Sequence, residues 1–358
     1  MAVVTELRRL GVTPEQILWI GTRGQMEETL VPQAGVALRT IPGGPLAGVP
    51  WRQKIANSGR LALGLAQAGQ LLAMFRPDIL FMTGGYVNVP VALAARLRRI
   101  PALIFLPDVE PGAAIKRLGR LAAKVACSVE ASQAYFPPGK TVVTGYPVRE
   151  ELRQALTLSR AEARAAFDLR MDEPVVFVFG GSRGAWSINQ ALMAVLPEAL
   201  RETQVIHVSG TLTWPQVDAN RQQLPGELRA RYRAFPYLQA EMGAAFRAAD
   251  LVVARAGASM LGEGPAFGLP AILVPYPHAW RYQKVNADYL VERGAALRLN
   301  DEQMSAQFWP MLQSLLRQPE RLAALGSAAR ALDQPAAAAN LARLMLEMAS
   351  RQTGVKLA

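Results

Sequence analysis

The run Val175-Val-Phe-Val-Phe-Gly180-Gly181-Ser182-Arg183-Gly184-Ala185 joins an apolar, strand-like segment to a helical stretch, Ile188–Leu200, through a glycine-rich turn. Glycines let a backbone approach a phosphate closely, and the unpaired N–H groups at a helix start attract negative charge. The hydroxyl of Ser182 adds a donor for a diphosphate oxygen. A plain tight turn has the same composition, and no Gly-Lys-Ser/Thr follows, so the segment is not a P-loop. A second turn of this kind, Ala256-Gly257-Ala258-Ser259, follows Asp250–Arg255 and leads into a helix bearing Glu263. Two anion-friendly helix starts in one domain suit a nucleoside diphosphate better than a single phosphate. Glu263 lies four residues after Ser259, outside capping-box spacing. Its carboxylate could accept two hydrogen bonds from vicinal ribose hydroxyls, the alternative being an exposed helix glutamate. Gln283 and Asn286, three apart on one helix face, could read sugar hydroxyls or form a polar solvent face.

These residues need a scaffold, and the chain alternates short β-branched runs with helix-length segments throughout. Ile17–Gly21, Val36–Ile41, Asp78–Met82, Ala102–Leu106 and Thr141–Thr144 form a first series. Pro174–Phe179, Gln204–Val208, Asp250–Val253, Ala271–Val274 and Ala296–Leu299 form a second. That rhythm predicts parallel sheets covered on both faces, in two doubly wound α/β domains. Tyr146-Pro147 and the charged helical stretch Arg149–Arg170 read as the connection, which divides the chain into 1–148 and 149–358, with the C-terminal helices of the second part expected to return to the first domain. The first domain opens with a helix, Val3–Leu10, where a doubly wound domain starts with a strand and a glycine-rich turn. Either the domain begins this way, or an upstream strand and turn belong to a longer reading frame; the pattern favours the second.

At 358 residues and 51% hydrophobic composition, the chain can bury two cores of ordinary size. Its single cysteine, Cys127, cannot form an internal disulfide and sits in a segment, Lys124–Ser128, that reads as a buried strand. With two histidines and no paired-cysteine spacing, no metal site is expected. No apolar run is long enough to cross a membrane and no signal-peptide layout is present at the start. The net charge of +11 is concentrated in 52–124, which carries eleven basic and three acidic residues. Segment 51–76 combines a basic start with a long apolar body, the pattern of a helix lying on an anionic membrane surface or of an ordinary core helix. No aromatic-basic motif or metal finger accompanies the charge, so nucleic acid is not an expected partner.

Taken in order, Gly180-Gly-Ser-Arg-Gly-Ala185, Ala254-Arg-Ala-Gly-Ala-Ser259 with Glu263, Gly268-Leu-Pro-Ala-Ile-Leu-Val-Pro-Tyr-Pro-His278 and Gln283-x-x-Asn286-Ala287 resemble the MurG family. Members are cytoplasmic N-acetylglucosaminyltransferases of peptidoglycan synthesis. Pro77-Asp-Ile-Leu-Phe-Met-Thr83-Gly84-Gly85-Tyr86 and Val143-Thr-Gly-Tyr-Pro-Val-Arg149 match the same family earlier in the chain, so the resemblance covers nearly all of it. The resemblance implies a GT-B fold, two Rossmann-like domains facing across a cleft, with the first strand of the N-terminal domain missing. It implies that the second domain holds UDP-N-acetylglucosamine and the first a prenyl-diphosphate-linked muramyl peptide, at the cytoplasmic face of the cell membrane. No cofactor or metal is implied. Residue by residue, it sets Gly181 and Ser182 at the diphosphate, Gly257, Ala258 and Ser259 near the phosphates, Glu263 on the ribose, and Gln283 and Asn286 on the sugar. Arg149 would face the donor, and Thr83, Gly84, Gly85 and Tyr86 the acceptor. The implied step is an inverting transfer to a muramyl 4-hydroxyl.

Three departures from the family pattern stand out. The family's opening Gly-Thr-Gly-Gly-His loop is absent, and nothing replaces its histidine. Its His-Glu-Gln-Asn segment reads Phe105-Leu-Pro-Asp108 here, which makes Asp108 a candidate base or a helix-capping aspartate. Trp280 and Tyr282 replace an acidic and a polar residue in the sugar-reading segment. Alternatives are therefore a related transferase with another membrane acceptor, a UDP-sugar-binding protein without turnover, and a nucleotide-sugar epimerase.

Overall fold

The structure, a computed structural model, describes the chain apart from residues 26, 45–49, 182–183, 278–281 and 354–358, and apart from the side chains of 51–56 and 352–353. It divides into two compact units, Met1–Pro147 with the segment from Ala336 onward, and Val148–Pro335.

In the first unit, β1 (Leu18–Gly21) and β2 (Ala37–Thr40) form a two-stranded parallel sheet. Strands β3 (Leu80–Met82), β4 (Ala102–Leu106), β5 (Lys124–Cys127) and β6 (Thr141–Val143) form a separate four-stranded parallel sheet in that order. Every residue of β4 is buried, as expected of a parallel strand covered on both faces. One face packs on helix Ala2–Arg9 through Val3 and Leu7 and on the C-terminal helix Ala337–Thr353 through Leu341, Ala342 and Met345. Helix Trp51–Phe75 contributes Ala68 and Leu72 to a core with Val91, Ala94 and Ala95 of helix Asn88–Leu97. Its Leu63 and Met74 are exposed, at 54% and 68%. The helix therefore buries one stripe and leaves apolar residues of another in solvent.

The second unit carries β7 (Val175–Phe179), β8 (Gln204–Val208), β9 (Tyr232–Phe235), β10 (Leu251–Ala254), β11 (Ala271–Leu273) and β12 (Ala296–Arg298). They form one parallel sheet in the order β9-β8-β7-β10-β11-β12, the Rossmann order 3-2-1-4-5-6. Ligands of such sheets bind beyond the carboxyl ends of the strands where the order reverses, here between β7 and β10. In the first unit, among the described residues, β1 pairs with β2 alone and β3 with β4 alone, so each is an edge strand of its own sheet. Ile20 of β1 and Leu80 of β3 pack against one core cluster, which keeps the two sheets adjacent.

Two elements differ from expectation. Strand β9 is not signalled by the sequence, since Tyr-Arg-Ala-Phe has no β-branched residue and spans four positions. The stretch Arg149–Arg170 is not one helix: helix Glu150–Gln154 and a 3-10 turn, Ala155–Thr157, precede a separate helix, Arg160–Ala165. Ser159 restarts the chain there with a capping box, its hydroxyl accepting from the Glu162 N–H while the Glu162 carboxylate accepts from the Ser159 N–H.

Candidate functional site

The register pairs Phe179 with Ala254 and Ala254 with Leu273, so the loops after β7, β10 and β11 leave the sheet side by side at its carboxyl edge. After β7 the chain turns through Gly180 and Gly181. A Cβ at Gly180 would overlap Ala185, and Gly181 has φ +88, a conformation that glycine adopts without strain. The Gly184 N–H donates to the Gly181 carbonyl at 3.0 Å, and helix Trp186–Glu202 starts at once with no acidic residue in its first turn. Its N-terminal N–H groups and dipole thus point a positive end at the turn. Ser182 lies outside the described residues.

After β10, Gly257 caps a 3-10 turn, Ala258–Leu261, and Glu263 opens the short helix Glu263–Phe267. A Cβ on Gly257 would meet nothing within 4 Å, so open space faces its Cα. Glu263 is only 7% exposed. Burial raises its carboxyl above the usual carboxylate range, an effect opposed by the nearby Arg149 guanidinium and by a hydrogen bond from Ser259. Arg149, which belongs to the second unit, stands with Nη2 3.9 Å from Glu263 Oε1.

The remaining expected donor residues lie on helix Tyr282–Glu292. Gln283 Oε1 accepts from the Tyr276 N–H at 2.8 Å, which leaves its Nε2 as the group able to donate elsewhere. Asn286 is buried, and its Nδ2 donates to the Ala256 carbonyl at 3.1 Å, tying that helix to the turn after β10. Trp280 and His278 fall outside the described residues.

One further side chain in this region, Arg255, joins several loops. Arg255 Nη1 donates to Asp301 Oδ1 at 2.5 Å and to the carbonyls of Val274 and Pro275 at 3.3 Å. Its Nη2 donates to Ser187 Oγ at 2.8 Å, and the guanidinium lies 5.2 Å from the centroid of the Tyr276 ring. Ser187 Oγ in turn donates to Asp301 Oδ1 at 2.7 Å. One side chain therefore fastens the loops after β10 and β11 to the first turn of helix Trp186–Glu202. The residue stands inside a motif, but its partner Asp301 is 46 positions away and carries no local signal.

In the first unit, Thr83–Tyr86 follows β3 and Asp108 follows β4, and these neighbouring parallel strands release them at one sheet edge. Gly84 and Gly85 have φ +97 and +103, and Asn88 Nδ2 donates to the Gly84 carbonyl. Tyr86 is 54% exposed and Asp108 partly buried. Among the described residues, no three His, Cys, Asp or Glu side chains converge as a metal site would need.

Comparison with known proteins covers both units. Residues 1–127 match the glycosyltransferase family 28 N-terminal domain, and residues 175–341 match the family 28 C-terminal domain. A relative from Roseiflexus sp. (strain RS-1) is 40% identical over 94% of this chain and 84% of its own length. Another, from Desulfitobacterium hafniense (strain DSM 10664 / DCB-2), is 37% identical over 93% of this chain and 91% of its own. Both are named UDP-N-acetylglucosamine--N-acetylmuramyl-(pentapeptide) pyrophosphoryl-undecaprenol N-acetylglucosamine transferase. Among solved structures, MurG of Acinetobacter baumannii superposes with a TM-score of 0.73 at 25% identity, over 97% of this chain and 94% of that one. The UDP-GlcNAc 2-epimerase of Neisseria meningitidis, solved with UDP-GlcNAc, gives a TM-score of 0.67 at 13% identity over 97% and 95%, a likeness of fold alone.

Proposed function

Because the chain belongs to the MurG family of glycosyltransferase family 28, we propose that it transfers N-acetylglucosamine from UDP-N-acetylglucosamine to the 4-hydroxyl of undecaprenyl-diphospho-N-acetylmuramoyl-pentapeptide. The reaction is a hexosyl transfer of peptidoglycan and cell wall synthesis. The acceptor oxygen attacks the anomeric carbon from the face opposite UDP and forms the new C–O bond as the bond to the β-phosphate oxygen breaks. UDP departs with the electron pair, the acceptor proton passes to a base, and the configuration inverts.

The observation that carries the donor assignment is the adjacency of two turns, Gly180–Gly184 and Gly257–Ser259, at the switch point of a Rossmann sheet, beside the buried carboxylate of Glu263. In this reading Gly181, Ser182, Gly257, Ala258 and Ser259 hold the diphosphate, whose charge rises as the bond to the sugar breaks. Preorganised N–H groups stabilise that charge without reorganisation. Glu263 accepts from the ribose, Arg149 meets the diphosphate, and the Nε2 of Gln283 donates to the sugar. Asn286 serves the sugar site by holding the Ala256 carbonyl. Thr83, Gly84, Gly85 and Tyr86 take the acceptor, with Asp108 as the base. The first unit, with the C-terminal segment from Ala336, then serves as the acceptor and membrane domain, and Val148–Pro335 as the donor domain.

The acceptor is lipid-linked, and we place the first unit on the anionic surface at the cytoplasmic face of the cell membrane. Supporting this are Leu97, 78% exposed at the end of its helix, and Leu93 and Leu121, beside a basic run that includes Arg96, Arg98, Arg99, Arg117 and Arg120. Among the described residues, no helix is long and apolar enough to cross a membrane. Isothermal titration of UDP into the protein and its Glu263→Ala variant tests the donor site. Unchanged affinity would remove Glu263 from it.

A further inference from the structure

Beside Gly184 lies a continuous chain of hydrogen bonds, buried at Tyr232, His207 and Asn189 and part-buried at Thr213. Tyr232 Oη is 2.6 Å from His207 Nδ1, and His207 Nε2 is 2.9 Å from Asn189 Oδ1. Asn189 Nδ2 donates to the Ser209 carbonyl at 2.9 Å and to Thr213 Oγ1 at 2.7 Å, and Thr213 Oγ1 donates to the same Ser209 carbonyl at 2.7 Å. These partners leave one consistent assignment. The Asn189 amide nitrogen is committed to two acceptors, so its Oδ1 must accept, and His207 Nε2 carries the proton. Nδ1 is then an acceptor and the Tyr232 hydroxyl donates to it. Burial pushes the His207 imidazole down to about 3, so the neutral ring and its tautomer persist throughout the physiological range.

The chain ends on the wall of the donor turn. Gly184 has φ +82, and a Cβ there would overlap the Ser209 carbonyl oxygen and lie 3.0 Å from Thr213 Oγ1. Gly184 is thus seated directly on the oxygen that Asn189 and Thr213 hold from two sides. Asn189 also belongs to the first turns of helix Trp186–Glu202, whose N-terminus faces the same site.

We propose that Tyr232, His207, Asn189 and Thr213 are positioning residues that fix the Ser209 carbonyl and, through it, Gly184 and the start of helix Trp186–Glu202, whose N-terminus faces the phosphates. The inference rests on the donor assignment above. Tyr232, His207 and Asn189 are buried and the network reaches the donor site only through the Ser209 carbonyl and Gly184, so the device is expected to act on the phosphates of UDP and to leave uridine binding alone.

The test compares calorimetric affinities for uridine and UDP in the unaltered protein, Thr213→Val, Thr213→Ser and Tyr232→Phe. Thr213→Val keeps the shape and deletes the hydroxyl; that side chain makes no capping bond to its own helix, so capping is not lost with it. Tyr232→Phe removes the donor at the far end of the chain and keeps the test available should Thr213→Val fold poorly. The expected result is a loss of about tenfold in UDP affinity for Thr213→Val and Tyr232→Phe, with uridine affinity changed by less than about twofold and Thr213→Ser close to the unaltered protein. A matching rise in KM for UDP-N-acetylglucosamine accompanies it. Equal weakening of uridine and UDP, or no change in either with the fold intact, would overturn the proposal. Absence of UDP binding by the unaltered protein would instead defeat the donor assignment on which it stands.

Discussion

Arg149 Nη2 lies 3.9 Å from Glu263 Oε1, with the arginine side chain about half exposed and the glutamate almost wholly buried. The spacing is too long for a hydrogen bond, so the guanidinium offsets the buried charge without occupying the carboxylate. Glu263 therefore keeps acceptor capacity for a ligand hydroxyl, while Arg149 remains able to turn toward an anion.

Glu263→Ala should lower UDP affinity by about a hundredfold, since two hydrogen bonds to a charged acceptor are worth roughly 3 kcal/mol. Titration calorimetry measures this directly. Glu263→Gln, which keeps shape and one acceptor, should fall between the two.

The raised carboxyl of Glu263 predicts opposite pH trends for binding and stability. Folding holds its proton to higher pH than the unfolded chain does, so this group's stabilising contribution is complete below the ordinary glutamate value and is lost as pH rises through the folded value. UDP binding needs the carboxylate and should weaken as pH falls through that same folded value. Glu263→Gln should flatten both trends, which affinity and thermal-unfolding profiles across mildly acidic pH would register.

Gly257 and Gly180 separate ligand space from packing space. The Cβ of Gly257→Ala enters open space at φ −65, so the fold should be unaffected while UDP affinity drops about tenfold because the added methyl stands where a phosphate approaches. Gly180→Ala collides with Ala185 and should cost about 1–3 kcal/mol of stability as well. Unfolding midpoints beside UDP affinities distinguish the two.

Asp301→Asn strips the charge partner from Arg255, whose side chain is 11% exposed. Leaving that cation unpaired should cost about 3 kcal/mol of stability. KM for the donor should rise, because Ser187, Tyr276 and the loop after β11 lose a common anchor. Denaturant unfolding and donor kinetics check the two halves of this expectation.

Much of the scaffold was legible because parallel strands buried on both faces write themselves as continuous apolar runs, as β4 and β7 do. Strand β9 was not, because its pairing with β8 and not its own four residues makes it a strand. The glycine-rich turn after β7 was legible as a turn since its backbone demand is local: Gly181 and Gly184 both stand at positive φ. The Arg255 anchor and the His207 chain were not: their partners lie 46 and 25 positions away and meet only when the sheet forms. Asn286 shows the limit from the other side, since its spacing with Gln283 on a helix face was visible but not that its amide turns inward to Ala256.

The central claim is tested most directly by supplying purified protein with labelled UDP-N-acetylglucosamine and a muramyl-diphosphoryl prenol and analysing the product. The account predicts a β-linked disaccharide on the prenyl diphosphate, one UDP released per linkage, and loss of product in Glu263→Ala. UDP-N-acetylglucosamine bound with no sugar transferred, or product formed equally well by Glu263→Ala, would contradict it.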